Sequence, residues 1–444
     1  MRLWQAYTTS RDGNVAITFA LLVFIITALV FGVIDYGAAV SAKTALQARL
    51  DSAALGAARS TAVTDAELQV IGDKFFKSSA DVTTPGTILS VQFKSISDGK
   101  RVSATAEGFV PTTILGFFNK ERLIYDAQSE VSRASKNIEV SLVLDTTGSM
   151  AGSRLTDLKA AANSLIDLVV KEAQQPFYSK VAIVPYAVAV NTGPYADQLR
   201  GAYTPGNCTT PGCKKYTFNN TYGSSLTHTI SDCVTERVGA QAYTDVSPLT
   251  APLGRNYASP NNPCIVSPIT PLSANKKVLK DAVKDLKAGG STGGQIGVAW
   301  GWYMLSPNFG TLWPSASQPG ARNDQKLTKA VVLVTDGEYN STYCNGVISK
   351  DSTSGSGSPA DHIDCNGTNG NSYAQSMQLC KNMKEAGIKV YTVGLEVVNT
   401  QEAKDLVNNC ASSAATVCRA ASSALLQTCF ESIAQDIIAL HVSQ

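Results

Sequence analysis

The chain has 444 residues, enough for two or three domains each with its own core, and 44% of them are hydrophobic, which excludes a disordered chain. Lysine and arginine number 37 against 35 aspartate and glutamate, a net charge of +2. With no long basic run, that balance argues against a nucleic-acid surface.

The first element is apolar. From Gly13 to Ile34 the chain carries no charge, and at ~1.5 Å per helical residue this run can cross a hydrocarbon layer of ~30 Å. A cleaved secretory signal is the rival reading, but its apolar stretch is typically ~7 to 15 residues and ends at a small-residue cleavage site. The expectation is a transmembrane helix over residues 13–36 behind a cytoplasmic N-terminus at 1–12. Arg2 and Arg11 before the span and Lys43 and Arg49 after it orient it weakly. The cysteines decide: all ten lie between Cys208 and Cys429, an even number, without a Cys-x-x-Cys pair. Disulfides in an oxidising compartment fit best.

Residues 37–133 read as a stalk followed by a small α+β unit. The helix continues without proline to Ser60 and carries an alanine face at Ala45, Ala48, Ala53, Ala54, Ala57 and Ala58. The alternating runs Ile88 to Phe93 and Arg101 to Phe109, joined by Ser97-Asp-Gly-Lys100, predict a β-hairpin.

From Ile138 the pattern changes to buried strands alternating with amphipathic helices: strands at Ile138 to Leu144, Val181 to Tyr186, Ala330 to Thr335 and Lys389 to Val397, and helical spacing in between. The fold class is therefore α/β, a doubly wound, mostly parallel sheet over residues 138–442. Ligands of such sheets gather at the carboxyl ends of the strands. Two segments, 191–273 and 338–371, break the alternation, are rich in Pro, Asn, Gly and Ser, and read as insertions stapled by disulfides because neither offers enough apolar surface to order itself. Cys380 with Cys410, and Cys418 with Cys429, are the expected bridges near the C-terminus. Trp300, Trp302 and Tyr303, just after a glycine-rich loop, read as core packing.

Three loops carry the candidate chemistry. Val-Ser-Leu-Val-Leu ends in Asp145, followed by Thr147 and Ser149 at alternate positions, so an extended turn would point one carboxylate and two hydroxyls the same way. A second apolar strand ends in Thr335-Asp336-Gly337, and Gly289-Gly-Ser291-Thr292-Gly-Gly lies between the two. Oxygen ligands of this kind suit a hard divalent cation, Mg²⁺ first, with Mn²⁺ or Ca²⁺ as alternatives. Each aspartate alone could equally cap a helix or turn. Catalysis finds little support: an aspartyl-phosphate phosphatase needs a second aspartate where Thr147 stands, and no phosphate loop or zinc-protease motif is present.

The Asp145-x-Thr147-x-Ser149 loop, the threonine of the glycine-rich loop and the Thr335-Asp336-Gly337 turn resemble a von Willebrand factor type A domain, whose metal-ion-dependent adhesion site uses this set. Arg11-Asp-Gly13-Asn-Val-Ala-Ile-Thr-Phe-Ala-Leu-Leu, Ile296-Gly-Val-Ala-Trp-Gly-Trp-Tyr-Met-Leu-Ser-Pro307 and Ala386-Gly-Ile-Lys-Val-Tyr-Thr-Val393 are similar to TadG-like proteins of the Flp (tight adherence) pilus system. The resemblance implies Asp145, Thr147 and Ser149 as the first ligand loop, Thr292 as the second and Asp336 as the third. Here Gly293 follows the threonine where the family commonly has a polar residue, so Ser291 is an alternative to Thr292. Thr18 stands where pilin-like helices carry a glutamate, against prepilin cleavage at Gly13.

What the resemblance implies is a single-pass protein of the bacterial inner membrane, its C-terminal domain in the periplasm or at the envelope surface. Its partners would be pilus or secretion-machinery proteins offering an acidic group to the cation, and not nucleic acid. A surface adhesin that binds host matrix is the alternative, with a metal-dependent hydrolase behind it.

Overall fold

The structure, a computed structural model, describes residues 12–60, 62, 64–78, 86–97, 99–112, 116, 119–133, 136–395 and 400–442. The expected cytoplasmic N-terminus, apart from Asp12, and the end of the strand expected to reach Val397 lie outside them. The chain divides into two compact units, one up to Ala134 and one from Ser135.

The first unit is built on a helix of 47 residues, Asp12–Ala58. Its N-terminal part is long and apolar enough to cross a membrane, and Ile17, Phe19, Leu22, Phe24, Leu29 and Val33 on it are all exposed. Farther along, Ala42, Leu46, Leu50, Ala53, Ala54 and Ala57 form a fully buried stripe. These steps of three and four residues are the period of one helical face. The alanine face expected from the sequence lies partly off this stripe: Ala48 is exposed and Ala45 half-buried, because Leu46 and Leu50 carry the contact there. The stripe packs on a three-stranded antiparallel sheet, β1 (Thr87–Ile96), β2 (Arg101–Pro111) and β3 (Arg122–Ser132), through Phe93, Val102, Ala104 and Ala106. The helix Asp65–Ser78 adds Leu68 and Phe76 to the same core. The expected hairpin is β1 and β2, and β3 completes the sheet.

The second unit is centred on six strands, β4 (Asn137–Asp145), β5 (Ser179–Tyr186), β11 (Thr270–Ser273), β12 (Leu327–Thr335), β15 (Lys389–Leu395) and β16 (Val417–Ala420). They form one sheet in the order β11-β5-β4-β12-β15-β16. Five strands run parallel, and only β11 at one edge is antiparallel. Strands buried on both faces read as continuous apolar runs, and eight of the nine residues of β4 are buried. One face is covered by Gly294–Tyr303, Ser372–Glu385 and Gln401–Cys410, whose Trp300, Tyr303, Leu379, Met383 and Leu406 share a core with Val143, Val184 and Val331. The other is covered by Ser153–Val169, Lys276–Lys284 and Ser423–Val442, with Leu158, Leu165, Leu279, Phe430 and Ile437 against Val140, Leu142 and Val332.

A mostly parallel sheet describes only this centre, and the second unit as a whole is mixed. The first insertion, expected at 191–273 outside the regular alternation, carries its own strands from Val190 on, β6 (Val190–Asn191), β7 (Thr204–Cys208), β8 (Cys213–Asn219), β9 (Ser225–Thr235) and β10 (Gly254–Tyr257), which join in a five-stranded sheet. The second insertion holds the two-stranded β13 (Tyr343–Cys344) and β14 (Val347–Ile348). Neither insertion has a core of its own, but they share one: Tyr216, Phe218 and Tyr257 from the first pack with Val347 and Ile363 from the second. The bridges are Cys208–Cys213, Cys233–Cys264, Cys344–Cys365, Cys380–Cys410 and Cys418–Cys429, the last two as expected.

Buried charge in this unit is held on different terms in different places. Glu139 of β4 and Lys329 of β12 are register partners, both buried, with Nζ 2.7 Å from Oε2. Tyr178 Oη and Gly320 N donate to Glu139 Oε1, and Lys329 Nζ also donates to Leu305 O at 2.7 Å. Burial lowers the Lys329 pKa and the Glu139 carboxylate opposes it. Glu139→Ala strands the ammonium, so denaturant unfolding should show a loss of roughly 3 to 5 kcal/mol.

Glu236 of the first insertion accepts Tyr343 N of the second at 2.9 Å through Oε1, while its buried Oε2 has no partner. Burial pushes its carboxyl up to about 7, above the ordinary 4.5. A folded pKa raised above the unfolded one gives stability that is complete below pH 4.5 and lost as pH rises to about 7. Glu236→Gln should therefore gain stability over the wild type between pH 5 and pH 8, read from urea midpoints at the two pH values; equal midpoint differences at both would refute this.

Candidate functional site

Because β4 and β12 are parallel neighbours, their carboxyl ends lie at one edge of the sheet. Asp145 is the last residue of β4 and Asp336 follows the last residue of β12. The backbone N of Asp336 lies 3.4 Å from Asp145 Oδ2. Thr147 is extended and Gly148–Met150 after it form a single 3-10 turn, so Asp145 and Thr147 stand two residues apart ahead of the turn while Ser149 lies within it. Thr147 Oγ1 donates to Asp145 Oδ1 at 2.6 Å and stands 2.9 Å from Ser149 Oγ. The Thr147 N–H donates to Asp145 Oδ1 as well, at 3.0 Å.

The glycine-rich loop is laced to both aspartate loops. Gly289 N donates to Thr146 O and Gly148 N to Gly290 O, each at 2.9 Å. On the other side Thr292 N donates to Asn340 Oδ1 at 2.9 Å, and Asn340 N and Ser341 N return to Thr292 O at 3.0 and 3.1 Å. Gly290 needs its left-handed φ of +79°. Ser291 Oγ accepts from Asn262 Nδ2, so its hydroxyl is engaged outside the aspartate cluster. Asp145 at the end of β4 and the loops that hold Thr147, Ser149, Thr292 and Asp336 are thus joined by hydrogen bonds.

Burial divides the group. Asp145, Thr147, Thr292 and Asp336 are all buried, while Ser149 and Gly148 are exposed and leave the cluster open on that side. Burial first, then the Asp336 charge, pushes the Asp145 carboxyl up to about 7 against the hydrogen bonds from Thr147 and Tyr186. Both carboxylate oxygens of Asp336 are buried without a hydrogen-bond partner. Among the described residues no group of three or more His, Cys, Asp or Glu side chains is placed to hold a metal, so a cation at this edge would draw on hydroxyls besides its two carboxylates. The orphaned Asp336 oxygens fit such an ion.

Several residues here escape sequence reading. Tyr186, the last residue of β5 and the register partner of Asp145, places its hydroxyl 3.0 Å from Asp145 Oδ2 and 3.0 Å from Val334 O. Burial raises its pKa, as does the Asp145 charge, keeping it protonated. Asn340 and Asn262 clamp the glycine-rich loop from separate segments. Tyr339 stacks on Tyr373 with ring centroids 5.4 Å apart, and Tyr373 Oη accepts Tyr339 N and donates to Gly337 O. Only the position of Tyr186 at a strand end opposite Asp145 offered a signal. Trp300, Trp302 and Tyr303 are buried in the core.

Residues 13–60 match the family described as Flp pilus-assembly TadE/G-like. The N-terminal segment of this chain is therefore TadE/G-like. No curated protein matches the chain. Among solved structures it is similar to the pilus adhesin SpaC from Lactobacillus rhamnosus GG, with 14% identity and a TM-score of 0.37 over 80% of this chain and 34% of that one. The chain thus spans about a third of that adhesin. It is also similar to the vWF domain of the type V pili tip protein Mfa5 from Porphyromonas gingivalis, with 10% identity and a TM-score of 0.39 over 70% and 97% of the two chains. A third is proximal thread matrix protein 1 from the mussel byssus with a zinc-occupied MIDAS motif, with 12% identity and a TM-score of 0.33 over 68% and 48%.

Close packing holds the helix Gly294–Tyr303 under the site. A Cβ at Gly294 would stand 2.0 Å from the Tyr339 ring, and one at Gly297 would stand 2.6 Å from the ring of Tyr186. Gly294→Ala should displace Tyr339 and cost about 1 to 3 kcal/mol, seen as a lowered thermal midpoint; an unchanged midpoint would show that the helix has room.

Proposed function

We propose that Asp145, Thr147, Ser149, Thr292 and Asp336 bind a divalent cation, and that the chain is a membrane-anchored assembly protein of Flp-type pili which engages a partner through that ion. The observation that carries this reading is Asp336: a buried carboxylate with two unpartnered oxygens, set against a second buried carboxylate. Isolated buried charge is strongly unfavourable and two like charges raise each other's cost. A cation between them removes both penalties.

Oxygen ligands with two carboxylates and several hydroxyls suit Mg²⁺, and Mn²⁺ and Ca²⁺ share that chemistry. When bound, the ion supplies a positive charge that an acidic group of a partner can meet. The protein's own part is to hold the oxygens in place. Thr147 and Tyr186 orient the Asp145 carboxylate, Asn340 holds the Thr292 backbone, and exposed Ser149 marks the side of approach. Because the Ser291 hydroxyl is engaged by Asn262, Thr292 is assigned as the ligand of the glycine-rich loop. The set is that of the metal-ion-dependent adhesion site of a von Willebrand factor type A domain, to which a doubly wound sheet with these loops at its carboxyl edge also corresponds.

The TadE/G-like segment and the exposed apolar helix support an inner-membrane anchor, and five disulfides in the second unit support its placement in the periplasm. The partner is a pilus or secretion-machinery protein with an accessible carboxylate. No catalytic role is assigned to these residues.

The test is a thermal melt of the full chain in detergent with its disulfides intact. Saturating Mg²⁺ or Mn²⁺ should raise the midpoint, with a stabilisation of about 2.7 kcal/mol at a hundredfold excess over Kd. Asp336→Asn, which removes the unpaired charge, should raise the metal-free midpoint and abolish the response to metal. A wild-type midpoint that ignores millimolar Mg²⁺ and Mn²⁺ would end the cation reading.

A further inference from the structure

The glycine-rich loop is held from two sides, and the clamp opposite Asn340 comes from a distant part of the chain. Asn262 is buried, two residues before Cys264, which is bridged to Cys233 of β9. Its amide has no group to spare. Oδ1 accepts Ser291 N at 3.1 Å, and Nδ2 donates to Ser291 Oγ and to Ser356 O, the latter at 3.0 Å. The turn that presents it is pinned as well: Asn262 N donates to Ser259 O at 3.1 Å, and Asp361 Oδ2 accepts from Ser259 Oγ and Asn261 Nδ2, each at 2.8 Å. Ser356 and Asp361 both belong to the second insertion. Gly290 lets the loop come this close, since a Cβ there would stand 3.1 Å from Asn262 Oδ1.

We infer that Asn262 is a positioning residue for the cation site, setting the backbone at Ser291 so that Thr292 presents its hydroxyl, and that the two disulfide-tied insertions thereby govern ion affinity. The inference rests on the proposed cation reading and adds to it a residue from outside the three ligand loops. The physical ground is preorganisation. A hydroxyl ligand is neutral and contributes little unless its loop is already shaped. Thr292 has no backbone group free to drift while Asn340 and Asn262 bracket it on adjacent residues. Removing Asn262 leaves Ser291 N without its acceptor inside the protein and frees one side of the bracket.

The experiment uses the full chain in detergent with disulfides intact, and Mn²⁺ as the probe. Free and bound Mn²⁺ are separated by their electron paramagnetic resonance signals, and metal-free thermal midpoints are recorded alongside. Loss of an outer-shell partner typically weakens metal binding about 10- to 100-fold, and Asn262→Ala should fall in that range. Asn262→Asp keeps an oxygen to accept Ser291 N and should recover most of the affinity. In a Thr292→Ala background the Asn262→Ala change should cost little more, since the two act through one ligand. Should Asn262→Ala not fold, Asn262→Ser, too short to span to Ser291, gives the same comparison. A lowered midpoint with unchanged Mn²⁺ affinity, or an equal loss with and without Thr292, overturns the inference alone. Absence of Mn²⁺ binding by the wild type overturns the cation reading and this inference with it.

Discussion

The parallel pairing of β4 with β12 is the constraint from which the rest of the second unit follows. It sets Asp145 and Asp336 at one edge of the sheet and buries both. At the opposite end of the same two strands, Glu139 and Lys329 are buried as a matched pair, with both Glu139 oxygens and the Lys329 ammonium hydrogen-bonded. One strand pair thus carries two treatments of buried charge. At one end opposite charges meet and the protein completes the hydrogen bonding. At the other, like charges meet and one carboxylate is left without a partner. The first arrangement is self-sufficient and the second is not, which is why the chemistry of this unit is to be sought at the carboxyl edge.

Around that edge the framework is polar where the core is not. Tyr186 ends β5 against Asp145, Asn340 and Asn262 bracket the glycine-rich loop, and Tyr373 holds the turn after Asp336 through Gly337 O. Behind it the helix Gly294–Tyr303 meets tyrosine rings through Gly294 and Gly297. Close approach at these glycines puts the loop's C-terminal end on a rigid element. Residues on rigid elements hold geometry better than residues on free loops.

Much of the central sheet was legible because strands covered on both faces are written as unbroken apolar runs, and Asp145 and Asp336 end two of them. Parallel order then followed from the intervening helices. What was not legible depended on contacts between segments far apart. The apolar surface of the first insertion is too small to order it by itself, and the partners that complete the cluster of Tyr216, Phe218 and Tyr257, namely Val347 and Ile363, lie about a hundred residues away or more. Along the first helix the buried stripe follows the helical period through Ala42, Leu46 and Leu50, which the density of alanines does not reveal. In the site, carboxylates and hydroxyls advertise themselves, whereas the asparagines that hold the loop resemble the many asparagines of ordinary turns. A 3-10 turn after the extended Thr147 places Ser149, which alternation alone does not describe.

The bridges share one property. Each of the ten cysteines joins its immediate neighbour in the chain, first with second, third with fourth and so on to the last pair, and the widest sequence separation is 31 residues. A polypeptide that meets oxidant progressively from its N-terminal side encounters the correct thiol before any competitor. Such an order of emergence needs no reshuffling of mispaired intermediates, so in a chain that emerges N-terminus first four of the five bridges can close before the final helix, which carries Cys429, has emerged.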